Sequence, residues 1–179
     1  MNCSKFLYVF FFLFCINSAY AEQIKGDLSS TEKRQIIKIA TKYINSVACN
    51  NSEIRNEDVI TLVPHTNDDD LFEAKYGVIW AGEIGCVGTA GYGPNIAIVR
   101  IGRDNSYHVS PIESSPTIEF EAPVHYVTKL VNYTSTSIVF DGLEQGESDP
   151  NCCPSINVRF TLRLDNQVNW KLVNQKYLK

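Results

Sequence analysis

Beyond its first sixteen residues the chain has no apolar run long enough to cross a bilayer, no block of basic residues and no internal repeat. Cations are in deficit, with 16 Lys and Arg against 20 Asp and Glu, for a net charge of −4. An acidic chain without a basic block is a poor match for nucleic acid or an anionic membrane. Histidine is scarce: His65, His108 and His125 lie on separate segments without H-E-x-x-H spacing, so no metal motif is present. The linear catalytic signatures G-x-S-x-G and S-x-x-K are missing too. A dispersed triad is defined by geometry rather than order, so this excludes only the linear motifs. No cofactor is expected.

What is present begins at the N-terminus. Lys5 precedes the apolar run Phe6 to Ile16, and Ala19-Tyr20-Ala21 supplies the small-x-small pattern that signal peptidase requires. The run is too short for a hydrocarbon core of about 30 Å. Residues 1–21 are therefore expected to be a signal peptide and 22–179 one domain, periplasmic or secreted, with no integral membrane segment after cleavage. Phe14 stands before Cys15 where a lipoprotein would carry a small residue. Cleavage leaves about 158 residues with a net charge of about −5. Such a chain buries roughly two thirds of its unfolded surface, enough for a core without a structural metal.

Cys3 and Cys15 fall within the signal; Cys49, Cys86, Cys152 and Cys153 remain. An even number in an oxidising compartment implies two disulfides, and four cysteines allow three connectivities. Joining neighbours closes an eight-membered ring across a distorted peptide, whereas native disulfides favour Cα atoms about 5.5 Å apart. The expectation is that Cys49 and Cys86 each bond one of the adjacent pair, stapling the N-terminal third to the C-terminal third.

Ser29-Ser30-Thr31-Glu32 offers a capping box, with Ser29 as N-cap and Glu32 three residues on. Ile36, Ile37, Ala40, Tyr43, Ile44 and Val47 then form one stripe at a period of about 3.6, predicting a helix from Ser30 to Ala48. Asn50-Asn51-Ser52 breaks it. The period then falls to two, predicting strands at 76–83, 96–101, 106–110, 117–121, 124–132, 137–143, 157–164 and 168–174. In the last pair, Val158, Phe160, Leu162 and Leu164 alternate with Arg159, Thr161 and Arg163. The polar turn Asp165-Asn166-Gln167 then leads to Val168, Trp170 and Leu172, as in an antiparallel hairpin. The class is α+β: an N-terminal helix packed on a curved antiparallel sheet, stapled by disulfides.

Two segments could carry function. Gly82 to Pro94 repeats glycine every third residue up to Gly91. It lacks the Gly-Lys-Ser/Thr of a phosphate loop and the strand-to-helix setting of a dinucleotide fingerprint. It reads as a wide hairpin loop anchored at Cys86, with Gly88, Gly91, Tyr92 and Gly93 as candidate binding residues and Tyr92 exposed. The second is Asp149 to Ser155, where prolines flank the adjacent cysteines and Asp149-Pro150 favours a turn. Redox and zinc motifs space their cysteines, so a structural anchor is the better account. Asp68-Asp69-Asp70 with Glu73 lacks the EF-hand order and reads as a solvated acidic loop. Asn50-Asn51-Ser52 and Asn132-Tyr133-Thr134 match the glycosylation sequon formally.

The DPNCCPS motif at 149–155, followed by alternating strands with Trp170 near the end, resembles exported bacterial proteins of the LppP/LprE lipoprotein type. The stretch from Trp80 to Gly88 is similar to segments of related periplasmic proteins. The resemblance covers about Tyr76 to Val173, and the N-terminus departs from it in lacking a lipobox cysteine. It implies export and bacterial origin but carries no catalytic residue. The expected function is non-enzymatic binding of another protein of the cell envelope, as an inhibitor, immunity-type protein or accessory factor. The alternatives are an envelope assembly role and a hydrolase in which Glu83 or Asp149 meets His108 or His125.

Overall fold

The computed structural model describes residues 28–65, 72–86, 92–150 and 152–179. The signal segment and Asp68 to Asp70 lie outside them. Helix α1 (Ser30–Val47) begins as its sequence dictates. Ser29 Oγ accepts from Glu32 N at 3.2 Å, and Glu32 Oε2 accepts from Ser29 N at 2.9 Å, so each residue satisfies an otherwise orphaned donor. The chain then turns extended at Ala48. None of the described helices is long and apolar enough to cross a membrane.

Among the described residues nine strands follow: β1 (Ala48–Asn51), β2 (Val59–Val63), β3 (Lys75–Ile84), β4 (Tyr92–Ile101), β5 (Tyr107–Val109), β6 (Tyr126–Tyr133), β7 (Ser137–Glu144), β8 (Ile156–Leu164) and β9 (Trp170–Tyr177). They form two antiparallel sheets that curl into a half-barrel. In sheet A, β4 covers one edge of β3 while β1 and β2 share the other, and β5 pairs with the far side of β4. Sheet B runs β6-β7-β8-β9.

Period-two alternation divides the apolar side chains between two cores. Ile79, Ile96 and Ile98 of sheet A face Phe140, Phe160, Leu162 and Trp170 of sheet B. The alternate residues Val78, Trp80, Ala97 and Val99 face Ile36, Ala40 and Ile44 of α1. Fully buried isoleucines such as Ile36, Ile44 and Ile96 each contribute about 1.5–3 kcal/mol through removal from water. The helix is also tied down by Tyr43, whose hydroxyl donates to Ser115 O at 2.9 Å.

The structure corrects three sequence expectations. Residues 117–121 are not a strand; Phe120 makes one isolated parallel bridge to Trp170. β1 and β2 are strands the pattern did not reveal. The disulfides are Cys49–Cys86 and Cys152–Cys153, not a crossed pair. The reason is topological. The register of β1 on β3 sets Ala48 opposite Ile84 and Asn50 opposite Glu83. That brings Cys49 beside the turn at Cys86, with Cα atoms 5.4 Å apart. Cys152 and Cys153 lie on the β7–β8 connection of the other sheet, bonded to each other at a Cα separation of 3.8 Å. The staple therefore acts within sheet A rather than between chain thirds.

Candidate binding cleft between the two sheets

β3 and β4 carry Ile79, Ala81, Tyr92 and Pro94 on the face turned toward sheet B, as their alternation with the helix-facing Val78, Trp80 and Ala97 requires. On the other edge of β3, the chain leaves β1 and rejoins as β2, so Ser52 to Asp58 bulges away from the ladder. Ser52 holds that bulge: its N–H donates to Ala81 O at 2.8 Å and its Oγ accepts from Ala81 N at 3.2 Å. Opposite stands β6, the edge strand of sheet B, with Tyr126 at its start. The gap between bulge and edge is a cleft.

Its first compartment, about 200 Å³, is lined by Arg55, Asp58, Ile79, Tyr92, Tyr126 and Val127 among others. A second, about 430 Å³, shares Arg55, Asp58, Ile79 and Val127 and runs on to Lys129, Leu130 and Phe140. The floor is apolar and the lip is polar and aromatic. Tyr92 and Tyr126 face one another with ring centroids 6.1 Å apart and planes tilted by 52°, a spacing at which aromatic pairs attract. Burial, and next the neighbouring Tyr126, pushes the Tyr92 phenol up from its ordinary value. It stays protonated and able to donate.

Arg55 is pre-set. Asp58 Oδ2 accepts from the Arg55 backbone N at 2.8 Å, and its Oδ1 takes Nη2 at 3.1 Å. Nη1 meets Glu57 Oε1 at 3.1 Å. The bond to Asp58 holds the guanidinium above its usual value. With its side chain still 58 % exposed, Arg55 presents a flat cation at the mouth of an apolar cleft. An oriented arginine beside two tyrosines is the residue mix of protein-binding hot spots.

The predicted site residues are distributed unevenly. Tyr92 is at the cleft but half-buried rather than exposed. Gly93 lies opposite Gly82 on β4, and a Cβ there would meet open space, so no close approach demands a glycine. Gly88 and Gly91 lie outside the described residues. Cys152 and Cys153 are exposed, in a turn that Asp149 organises by accepting from Gly146 N at 2.8 Å and from Ser155 N at 2.7 Å. That turn joins β7 to β8 at the end where Tyr126 starts β6, so it shares an end of the molecule with Tyr92.

The hydrolase geometry is not assembled around Asp149, whose carboxylate is taken up by its own loop, nor between Glu83 and His108, which sit at opposite ends of β4. His125 lines a shallow hollow with Asn95 and Phe120 that adjoins the cleft, sharing Tyr92 and Pro94 with its first compartment. Among the described residues, no three His, Cys, Asp or Glu are grouped to hold a metal ion. Sequence reading missed Arg55, Asp58 and Tyr126. The only local signal was the opposite-charge spacing of Arg55 and Asp58, three apart.

Fold and cleft together define an α+β protein in which a helix backs a curled antiparallel half-barrel and an aromatic, arginine-bearing groove opens along one side. In comparisons with known proteins, the chain matches no family model, no curated protein and no solved structure.

Proposed function

We propose that this chain is an exported bacterial envelope protein that binds another protein without catalysis, through the cleft between its sheets. The observation that carries the reading is the Tyr92–Tyr126 pair beside the pre-oriented Arg55. These groups are held on a frame stapled by Cys49–Cys86 at the same end. A rigid frame lowers the ordering cost of binding. The apolar floor offers burial, while the lip offers stacking and charge-assisted hydrogen bonds. Export is supported by the apolar segment ending in Ala19-Tyr20-Ala21 and by the fully paired cysteines of the remaining chain.

The test is native isolation of the protein from the periplasm, with copurifying proteins identified and the N-terminus determined. A stoichiometric partner, lost from Tyr126→Ala, and an N-terminus at Glu22 are expected. A partner retained by Tyr126→Ala would remove the cleft assignment, and an intact Met1 would remove export.

A further inference from the structure

We propose that the outer face of sheet B is a second docking surface, shaped for an extended acidic segment of a partner protein. It meets the cleft along β6, where Lys129 borders both, and extends from there across β7, β8 and β9. The inward residues of sheet B, such as Phe140, Phe160 and Leu162, belong to the core, so their alternates face solvent. Registers align those alternates into cross-strand rows. Lys129, Asp141, Arg159 and Lys176 form one row across all four strands, and Ser137, Arg163 and Lys171 form another.

Five cations and one acid therefore occupy the strands of this face in a protein whose net charge is −4. The pairings compound the imbalance. Arg159 stands directly opposite Lys176, and Arg163 directly opposite Lys171. Like charges facing each other across an antiparallel ladder oppose folding. Asp141 offsets Arg159 through a two-pronged bond of 2.6 and 2.9 Å. Lys171 is held by Glu119 and Glu121 from the neighbouring segment. Lys129, Arg163 and Lys176 have no salt bridge to a described residue. An acidic partner supplies the missing countercharge.

The geometry selects the partner's shape. Arg159 and Arg163 point the same way from β8 with Thr161 between them, which sets them about 13 Å apart. Carboxylates at i and i+4 of an extended chain have the same spacing. Beside Arg163 lies a polar hollow of about 500 Å³ lined by Asn132, Thr134, Thr136 and Ser137. A carboxylate seated there meets the guanidinium and several hydroxyl donors together.

The experiment uses the purified processed protein and a fluorescent peptide with Glu at every second position, against the same peptide carrying Gln. The Glu peptide is expected to bind with an affinity that falls as salt rises, and the Gln peptide not to bind. Arg163→Gln should weaken binding about two- to fivefold, as loss of one exposed ion pair does. Lys176→Glu should weaken binding while raising the thermal midpoint, because it turns a like-charge pair into an attractive one. Tyr92→Ala, on β4 of the other sheet, should leave peptide affinity unchanged, which separates this face from the cleft. Equal binding of the Gln peptide, or affinity unmoved by both charge variants, would overturn the proposal. So would displacement of the peptide by single-stranded DNA or phosphatidylglycerol vesicles at lower concentration than by unlabelled peptide.

Discussion

Arg100 holds Glu113 with two parallel bonds, Nε to Oε2 at 2.6 Å and Nη2 to Oε1 at 2.7 Å, while Lys75 Nζ reaches the same Oε1 at 2.8 Å. The Glu113 side chain is only 10 % exposed, so the charges meet largely out of water. The arginine bond is the main reason its carboxyl falls from an ordinary 4.5 to about 2. At about 1.4 kcal/mol per pH unit, that corresponds to stabilisation on the order of 3 kcal/mol at neutral pH. A depressed carboxyl stabilises fully above its unfolded value and loses that contribution as pH falls toward the folded one. Stability should therefore decline between about pH 4.5 and 2. Glu113→Gln should cost about 3 kcal/mol at pH 7, since two cations then lack their partner, and should flatten the acid decline. Urea unfolding across that range checks both, and an unchanged acid slope in the variant would refute the role.

Ser114 does the work of a strand. After β5 the chain no longer runs extended beside β4, yet the β4 amides remain inside the protein. The fully buried Ser114 Oγ accepts from Ile98 N at 2.8 Å and donates to Ser110 O at 2.7 Å, and Ser115 N donates to Ile96 O at 2.9 Å. Ser114→Ala removes little volume but orphans the Ile98 N–H, at a cost of about 1–3 kcal/mol. Ser46→Ala, on the exposed side of α1, should change stability far less. Equal midpoints for the two variants would show that Ser114 is not the acceptor.

The cysteine pairing separates the observed topology from the crossed arrangement. Replacing Cys49 and Cys86 together by Ser should leave no free thiol, because Cys152 and Cys153 remain bonded to each other. A crossed arrangement would leave two. The Cys49–Cys86 bridge closes a sequence separation of 37, for which the chain-entropy model gives about 4 kcal/mol. The double variant should lose stability of that order. Thiol titration under denaturing conditions and thermal unfolding provide the two readouts.

How much of this was legible follows from where the information lies. Ser29, Glu32 and the stripe through Ile44 specify α1 within one short window, and the structure reproduces it with its cap. The β8–β9 hairpin is equally local. Its turn forms around the Asp165 carboxylate, which accepts from Gln167 N and Asn169 N, each at 2.8 Å. β1 was hidden because Asn50-Asn51-Ser52 has turn chemistry, and only the edge of β3 makes it a strand. The disulfide error follows directly, since Cys49 reaches Cys86 only through that pairing. The cleft was hidden for the same reason. Arg55, Tyr92 and Tyr126 come from three distant segments, and no spacing in the sequence reports that two sheets curl to bring them together.

Gly142 shows how the core aims the cleft. It faces inward on β7, and a Cβ there would stand 2.7 Å from Tyr126 O and 2.9 Å from Val124 Cγ2. The start of β6 therefore rests on β7 at a distance only glycine permits. Alanine must push Tyr126 and Val124 away, and such overpacking costs about 1–3 kcal/mol. Because Tyr126 faces Tyr92 across the lip, the same displacement opens the aromatic pair. Gly142→Ala should thus lower the unfolding midpoint and weaken partner binding together, although residue 142 is not among those lining the cleft. Gly93→Ala, where the added methyl meets open space, should leave both unchanged. Paired measurement of midpoint and partner affinity decides the matter. If Gly142→Ala lowered the midpoint but bound its partner as before, the position of Tyr126 would not govern recognition.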